Sequence, residues 1–188
     1  RRQELRVETD AGIKMLRLRI EADAVRSVTV DMGEPVLDGP RIPVAAEGRV
    51  INAPLQVDGA TYRITCVSMG NPHAVCFLEQ PVANFPLAEI GPRMEHHLMF
   101  PSRVNFEIVN VISREKLKAR VWERGAEETL SCGTGACAVA VASRLKKLTD
   151  NPVDVILPGG TLTVDWGGKS EVFLSGPAEV VFEGKWKD

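Results

Sequence analysis

The sequence predicts an α+β fold, a mostly antiparallel β-sheet wrapped around a buried central helix, and three observations predict it. Short β-branched runs recur along the chain and are punctuated by turn residues. They follow one another at hairpin spacing, not at the spacing of strands alternating with crossover helices, which favours antiparallel pairing. Only two stretches read as helices, and one of them, residues 133–147, is small or apolar on every face up to Ser143, the pattern of an enclosed helix. With 44% apolar and 26% charged residues among 188, the chain can bury a sizeable core and is neither disordered nor collagen-like.

In chain order, strands are expected at 5–8, at 13–20 after Asp10-Ala11-Gly12, and at 25–32, 62–68 and 73–78. Further strands are expected at 104–112, 117–123, 153–157, 161–166, 171–174 and 178–182. The first helix, 87–97, sets Leu87, Ile90 and Met94 at spacings of three and four, which suits a surface helix; Pro86 opens it and Gly91-Pro92 tightens or bends it. The second reads GTGACAVAVASRLKK, and Arg144, Lys146 and Lys147 crowd its last turn, where positive charge complements the helix dipole. Residues 33–59 are rich in Pro and Gly with little periodicity, so a lobe boundary is placed near Gly33. No repeat of fixed period and no low-complexity tract is present.

Charge and cysteine usage exclude several classes of function. Lys and Arg number 23 against 25 Asp and Glu, a net charge of −2, and no basic run could neutralise a line of phosphates, so nucleic acid is not an expected partner. Apolar runs fall far short of the roughly 20 residues that span a bilayer, so no membrane association is expected and the protein reads as soluble. Cys66, Cys76, Cys132 and Cys137 are too few and scattered for a disulfide scaffold, and no pair has C-x-x-C spacing; reduced thiols inside a cell are the expectation. The chain opens at Arg1 with a segment that reads as a strand in mid-fold, so upstream sequence is expected.

The most informative position is Cys132, followed by Gly133-Thr134-Gly135 at the start of the buried helix. The first turn of a helix leaves N–H groups without partners and carries about half a positive charge, so it attracts an anion. A thiol there is expected to ionise below its free value of about 8.5. The glycines let a substrate carboxylate approach the same amides, so one helix end could bind a carboxylate and place a thiol on the neighbouring carbon.

Other features take duller readings. Cys137 lies well round the helix among Ala and Val, and Cys66 and Cys76 sit in strands; all three read as core residues. Cys76 and His73 have opposite strand parity, which is poor geometry for a pair. His96 and His97 point to different sides of their helix and read as surface residues, so no metal site is expected. Gly133-x-Gly135-x-x-Ala138, with Asp154 about 20 residues on, fits a loose dinucleotide fingerprint. That fingerprint needs a buried strand entering the glycines, whereas residues 124–131 are polar and contain Glu127 and Glu128.

The stretch Trp122-Glu123-Arg124-Gly125-Ala126-Glu127-Glu128-Thr129-Leu130-Ser131-Cys132-Gly133-Thr134-Gly135-Ala136-Cys137 resembles the second cysteine signature of the diaminopimelate epimerase family. Met69-Gly70-Asn71-Pro72-His73, Phe100-Pro101-Ser102-Arg103-Val104-Asn105-Phe106 and Leu157-Pro158-Gly159-Gly160 resemble further motifs of that family, in its order. The likeness covers nearly all of the chain. Related proline racemases share the CGTG element without the Glu-Arg-Gly run so placed, and phenazine-type isomerases lack the cysteine.

The resemblance implies a cytoplasmic, cofactor-independent isomerase that inverts one α-carbon of diaminopimelate, in lysine and peptidoglycan-precursor synthesis, using two cysteines on opposite faces. It implies that Cys132 is acid or base and that Gly133 and Thr134 hold the reacting carboxylate by their N–H groups. It further implies that Glu123 and Arg124 lie beside the substrate, Glu123 accepting from an ammonium and Arg124 gripping a carboxylate. Asn71 and Asn105 would recognise the amino-acid head group, and His73 would support the reaction from close range. A homodimer is the family expectation. The family's first cysteine, in a Met-Cys-Gly-Asn-Gly element, is absent from these 188 residues. The expectation is therefore one complete C-terminal lobe, 33–176, with a remnant of a similar N-terminal lobe, 1–32 and 177–188, and no turnover by this chain alone. A proline or hydroxyproline racemase, or an inert amino-acid-binding half-domain, is the alternative.

Overall fold

The computed structural model describes residues 3–9 and 12–185. Hairpins build its first half. Strand β1 (Glu4–Thr9) pairs with β2 (Gly12–Glu21), which turns through Ala22 and Asp23, both at positive φ, into β3 (Ala24–Gly33). Strand β4 (Ala53–Val57) returns as β5 (Ala60–Ser68) through Asp58-Gly59, where φ values of 50° and 79° make the two-residue turn that matches strand twist. Strand β6 (Pro72–Phe77) and helix α1 (Leu87–Glu95) follow, then β7 (Asn105–Ser113), β8 (Lys116–Glu123) and the short β9 (Glu127–Thr129). Helix α2 (Gly133–Leu145) precedes β10 (Val153–Leu157), β11 (Gly160–Asp165) and β12 (Val172–Pro177).

The strands join in one sheet, in the order β1-β2-β3-β12-β11-β10-β8-β7-β6-β5-β4, with β9 pairing β8 off that path. Pairing is antiparallel except at β6/β7 and β8/β10. Strand alternation sorts side chains into two cores. Val67, Val75, Val109, Ala119, Val121 and Val155 face α2, whereas Ile64, Cys66, Ala74, Cys76, Phe106, Ile108 and Trp122 face the other way, toward Leu87 and Met94 of α1. Every residue of α2 from Gly135 to Ser143 is buried, as its all-round apolar pattern requires. This parity puts His73, Asn105, Glu107 and Glu123 on the α2 side, because each lies two residues from a valine of that face or continues its alternation.

Most expected strands lie within a residue or two of their bounds, and α1 stops two residues short of its expected end. Strand β4 falls inside the stretch read as lacking periodicity. Its alternation of Leu55 and Val57, both buried, is brief, and Pro54 is tolerated because β4 is an edge strand. Strand β9 was not anticipated either, since its residues are polar and at least partly exposed. The expected strand at 178–182 is corrected: these residues carry no strand, and Val180, Val181 and Phe182 are 83%, 90% and 84% exposed. Strand β12, from which this segment leaves, already has β3 on one edge and β11 on the other, so neither of its edges is free to accept the segment in a hairpin. Strands β1 to β3 bury little, with Ile13 56% and Met15 41% exposed.

Candidate active site

Cys132 is the N-cap of α2, in extended conformation with φ −133° and ψ 110°, and its Sγ accepts from the N–H of Gly135 at 3.4 Å. The Ala136 N–H is taken by the Cys132 carbonyl at 2.9 Å. The N–H groups of Gly133 and Thr134 have no partner among the described residues, as the first turn of a helix dictates. Two glycines keep this turn tight. A Cβ on Gly135 would lie 3.2 Å from Cys132 Sγ, and one on Gly159 would lie 2.9 Å from the Leu130 carbonyl oxygen, to which the Gly159 N–H donates at 2.7 Å. The Pro158-Gly159-Gly160 turn thus clamps the loop that delivers Cys132. Gly159→Ala is expected to lower stability by about 1 to 2 kcal/mol in a urea titration, because a backbone oxygen cannot swing away as a side chain can.

A line of hydrogen bonds runs from the thiol into the sheet. The Thr134 hydroxyl lies 3.5 Å from Sγ and accepts from Asn71 Nδ2 at 3.2 Å. Asn71 Oδ1, a carbonyl that only accepts, takes the Nε2 proton of His73 at 3.0 Å. His73 Nδ1 stands 2.6 Å from Glu107 Oε1, and both side chains are completely buried. Asn105 Oδ1 accepts from the Arg124 backbone N–H at 2.7 Å, while its Nδ2 is buried with no partner among the described residues. Glu107 Oε2 is likewise buried and unpartnered. Cys132, Thr134, Asn71 and His73 are thereby brought together as the motifs imply, with Gly133 at the same helix end and Asn105 on the neighbouring strand.

Glu123 lies on the same face, where its Oε1 accepts from the Thr129 hydroxyl at 2.5 Å. Arg124 is exposed, and its Nη1 donates to the Ser102 carbonyl at 2.9 Å. Glu95 holds this bend from beneath: Oε2 accepts from Trp122 Nε1 at 2.8 Å and Oε1 from the Gly125 N–H at 3.1 Å. Neither Glu95 nor Glu107 was singled out in the sequence. For Glu107 the available signal was an acid on the buried face of an otherwise apolar strand, Phe106-Glu107-Ile108-Val109. For Glu95 it was an acid one residue after Met94, on the apolar side of α1.

The expected lowering of the Cys132 thiol is corrected. Burial pushes it up to about 12; the hydrogen bonds from Thr134 and Gly135 pull it down, and the negative charges of Glu107 and Glu123 add to the rise. The helix end is real, but burial and two nearby carboxylates outweigh it. Glu107 is itself pushed up to about 7, chiefly by burial, which the proximity of His73 only partly offsets. Cys66 and Cys137 are raised to about 12 and Cys76 to about 11, each chiefly by burial, as suits core residues. No cluster of potential metal ligands occurs among the described residues. The dinucleotide reading finds no support: the loop entering the glycines follows β9, not a buried strand. A cavity of about 420 Å³ lined by Arg17, Thr29, Asp31 and Phe173 lies on β1 to β3 and β12, away from this centre.

Residues 65–181 match the family model described as diaminopimelate epimerase. Among curated relatives, diaminopimelate epimerase of Acetivibrio thermocellus is 51% identical over 96% of this chain and 65% of its own length. That of Moorella thermoacetica is 49% identical over 97% of the chain and 66% of its length. The chain thus spans just under two thirds of the length of these relatives. In fold, it is similar to a hydroxyproline epimerase from Agrobacterium vitis, with a TM-score of 0.64 at 17% identity over 94% of this chain and 57% of that one. It is also similar to a phenazine biosynthesis protein of the PhzF family from Bacillus anthracis, with a TM-score of 0.56 at 15% identity over 94% of this chain and 66% of that one.

Proposed function

The chain belongs to the diaminopimelate epimerase family, and from that membership we propose that it supplies one side of a cofactor-independent centre interconverting LL- and meso-diaminopimelate, as in lysine and peptidoglycan-precursor synthesis. The observation that carries the proposal is the placing of Cys132 at the cap of a buried helix, beside two backbone N–H groups that have no partner among the described residues. An α-carboxylate on the Gly133 and Thr134 amides would set the α-carbon next to Sγ. The same donors would stabilise the charge that spreads onto that carboxylate when the α-proton leaves. Asn71 and the free Nδ2 of Asn105 suit the head group; Glu123 can accept from an ammonium, and Arg124 can reach a carboxylate from the rim.

Burial keeps Cys132 as a neutral thiol, which fits it to deliver a proton. A base on the opposite face takes the α-proton; the carbanion takes the proton of Cys132, and sulfur is left as thiolate. The reverse direction exchanges the two roles. None of Cys66, Cys76 and Cys137 suits the opposing base, since each is buried within a core, so the chain alone is not expected to epimerise. Residues 33–176 are read as the lobe carrying this centre, and 1–32 with 177–188 as parts of a second, similar lobe. The same reading carries a cytoplasmic homodimer without cofactor. No helix among the described residues is long and apolar enough to cross a membrane.

The test joins the chain to the portion of the Acetivibrio thermocellus relative that it does not cover and incubates the product with LL-diaminopimelate in deuterium oxide. Meso product carrying deuterium at the inverted carbon is the expected result. Turnover of proline or hydroxyproline in preference to diaminopimelate would favour the racemase alternative, and ligand binding without exchange would favour an inert binding domain.

A further inference from the structure

Glu107 is a carboxylate with no solvent exposure, set in a strand between Phe106 and Ile108. Burying such a group is strongly unfavourable unless its surroundings compensate, and one of its oxygens has no partner among the described residues. Its position makes sense of the expense. On one side, Oε1 lies 2.6 Å from His73 Nδ1. On the other, a Cβ built on Gly135 would lie 3.2 Å from Glu107 Oε1 and 3.2 Å from Cys132 Sγ, so oxygen and sulfur stand no more than twice that distance apart. Gly135 leaves this space open, because a Cβ there would crowd the oxygen and the sulfur alike.

The hydrogen bonds from His73 to Thr134 have a single polarity. Nε2 of His73 donates to Asn71 and Asn71 donates to Thr134, whose hydroxyl meets the sulfur at 3.5 Å, where either atom can donate. The Nε2 proton is therefore fixed, and one further proton is shared between Nδ1 and Glu107. Whichever atom holds it, the pair is then neutral overall; once it leaves, the pair is an anion facing the sulfur. The geometry points to Glu107 as a positioning residue that locks the tautomer of His73 and, across Gly135, holds Cys132 in its protonated form. This rests on the reading of Cys132 as a proton-transferring thiol, but its test does not require epimerisation.

Sign and range follow from the groups present. Glu107 is held up to about 7, mainly by burial, so the negative charge it turns toward the sulfur grows as the pH rises through that range. The titratable groups around the pair and the thiol are Cys66 on β5, His73 on β6, Glu123 on β8 and Cys137 on α2. Among the described residues, Glu107 and Glu123 bring carboxylate charge to bear on the sulfur, and Glu107→Gln removes one of them while keeping the shape. The experiment is the pH dependence of iodoacetamide alkylation at Cys132, read by mass spectrometry on the chain as it stands. Wild type and Glu107→Gln are expected to alkylate alike below pH 7, and the variant about ten-fold faster near pH 9. Superimposable profiles, with or without a fall in Tm, would overturn the proposal.

A second measurement on the unaltered protein guards against a variant that does not fold. Nitrogen-15 NMR of His73 is expected to show the ring protonated at Nε2, the atom that donates to Asn71. An unprotonated Nε2 would overturn the assignment. Both readouts are independent of diaminopimelate, so failure of the epimerase reading and failure of the Glu107 role give different results.

Discussion

Cys132→Ala is expected to abolish epimerisation in the form of the protein that carries both faces of the centre, lowering kcat by a factor on the order of 10² to 10⁴, the usual contribution of a positioned acid or base. The loss should fall on kcat and not on KM, because the groups proposed to bind substrate, the Gly133 and Thr134 amides and Asn71, remain in place. A stability effect accompanies it. Sγ caps the Gly135 N–H, and losing an N-cap acceptor costs about 1 kcal/mol. Cys132→Ser separates the two effects, since serine is a favoured N-cap residue and restores an oxygen acceptor. It should recover the lost stability and recover little of the rate, because a hydroxyl gives up its proton far less readily than a thiol. A serine variant as active as wild type, measured by deuterium incorporation at the α-carbon, would remove sulfur from the mechanism.

The place of Cys132 at a helix cap is legible in the sequence and its ionisation is not, and the difference shows which forces local pattern can report. That Cys132 opens a helix was legible, because GTG followed by small apolar residues has no other economical reading. That the helix is enclosed was legible as well, since no polar face exists to meet water. The height of the Cys132 thiol was not, because it is set first by burial and then by Glu107 and Glu123, which reach it from β7 and β8 through pairings of long sequence separation. Glu107 shows the limit plainly: one acid in an apolar strand is a visible anomaly, but its partner His73 lies on β6, and only the parallel β6/β7 register brings the two together. The strand expected at 178–182 failed for a related reason. β-propensity in Ala178-Glu179-Val180-Val181-Phe182 proposes a strand, and a free sheet edge must accept it.

Gly91→Ala is expected to be the most damaging single-methyl change among the positions that hold the site. In an exposed helix, alanine is better than glycine by about 1 kcal/mol, so propensity alone predicts stabilisation. Packing predicts the opposite. A Cβ on Gly91 would lie 2.4 Å from Cδ2, 2.6 Å from Cγ and 2.7 Å from Cε3 of Trp122, and the indole has nowhere to retreat. It is only 6% exposed, it packs within the α1 core, and its Nε1 is tied to Glu95. Overpacking of this kind costs about 1 to 3 kcal/mol and occasionally more, and contacts this short on a tethered ring place it at or above the top of that range. Packing should win, giving a net loss of about 2 kcal/mol or more in a urea titration. The damage should also reach the chemistry, because Glu95 links Trp122 to the Gly125 amide, and that bend sets Glu123 and Arg124. Trp122→Phe removes both part of the obstruction and the indole N–H. Combined with Gly91→Ala it should cost less than the sum of the two single changes, which is the signature of one shared contact. Strict additivity would show that α1 accommodates the methyl group elsewhere.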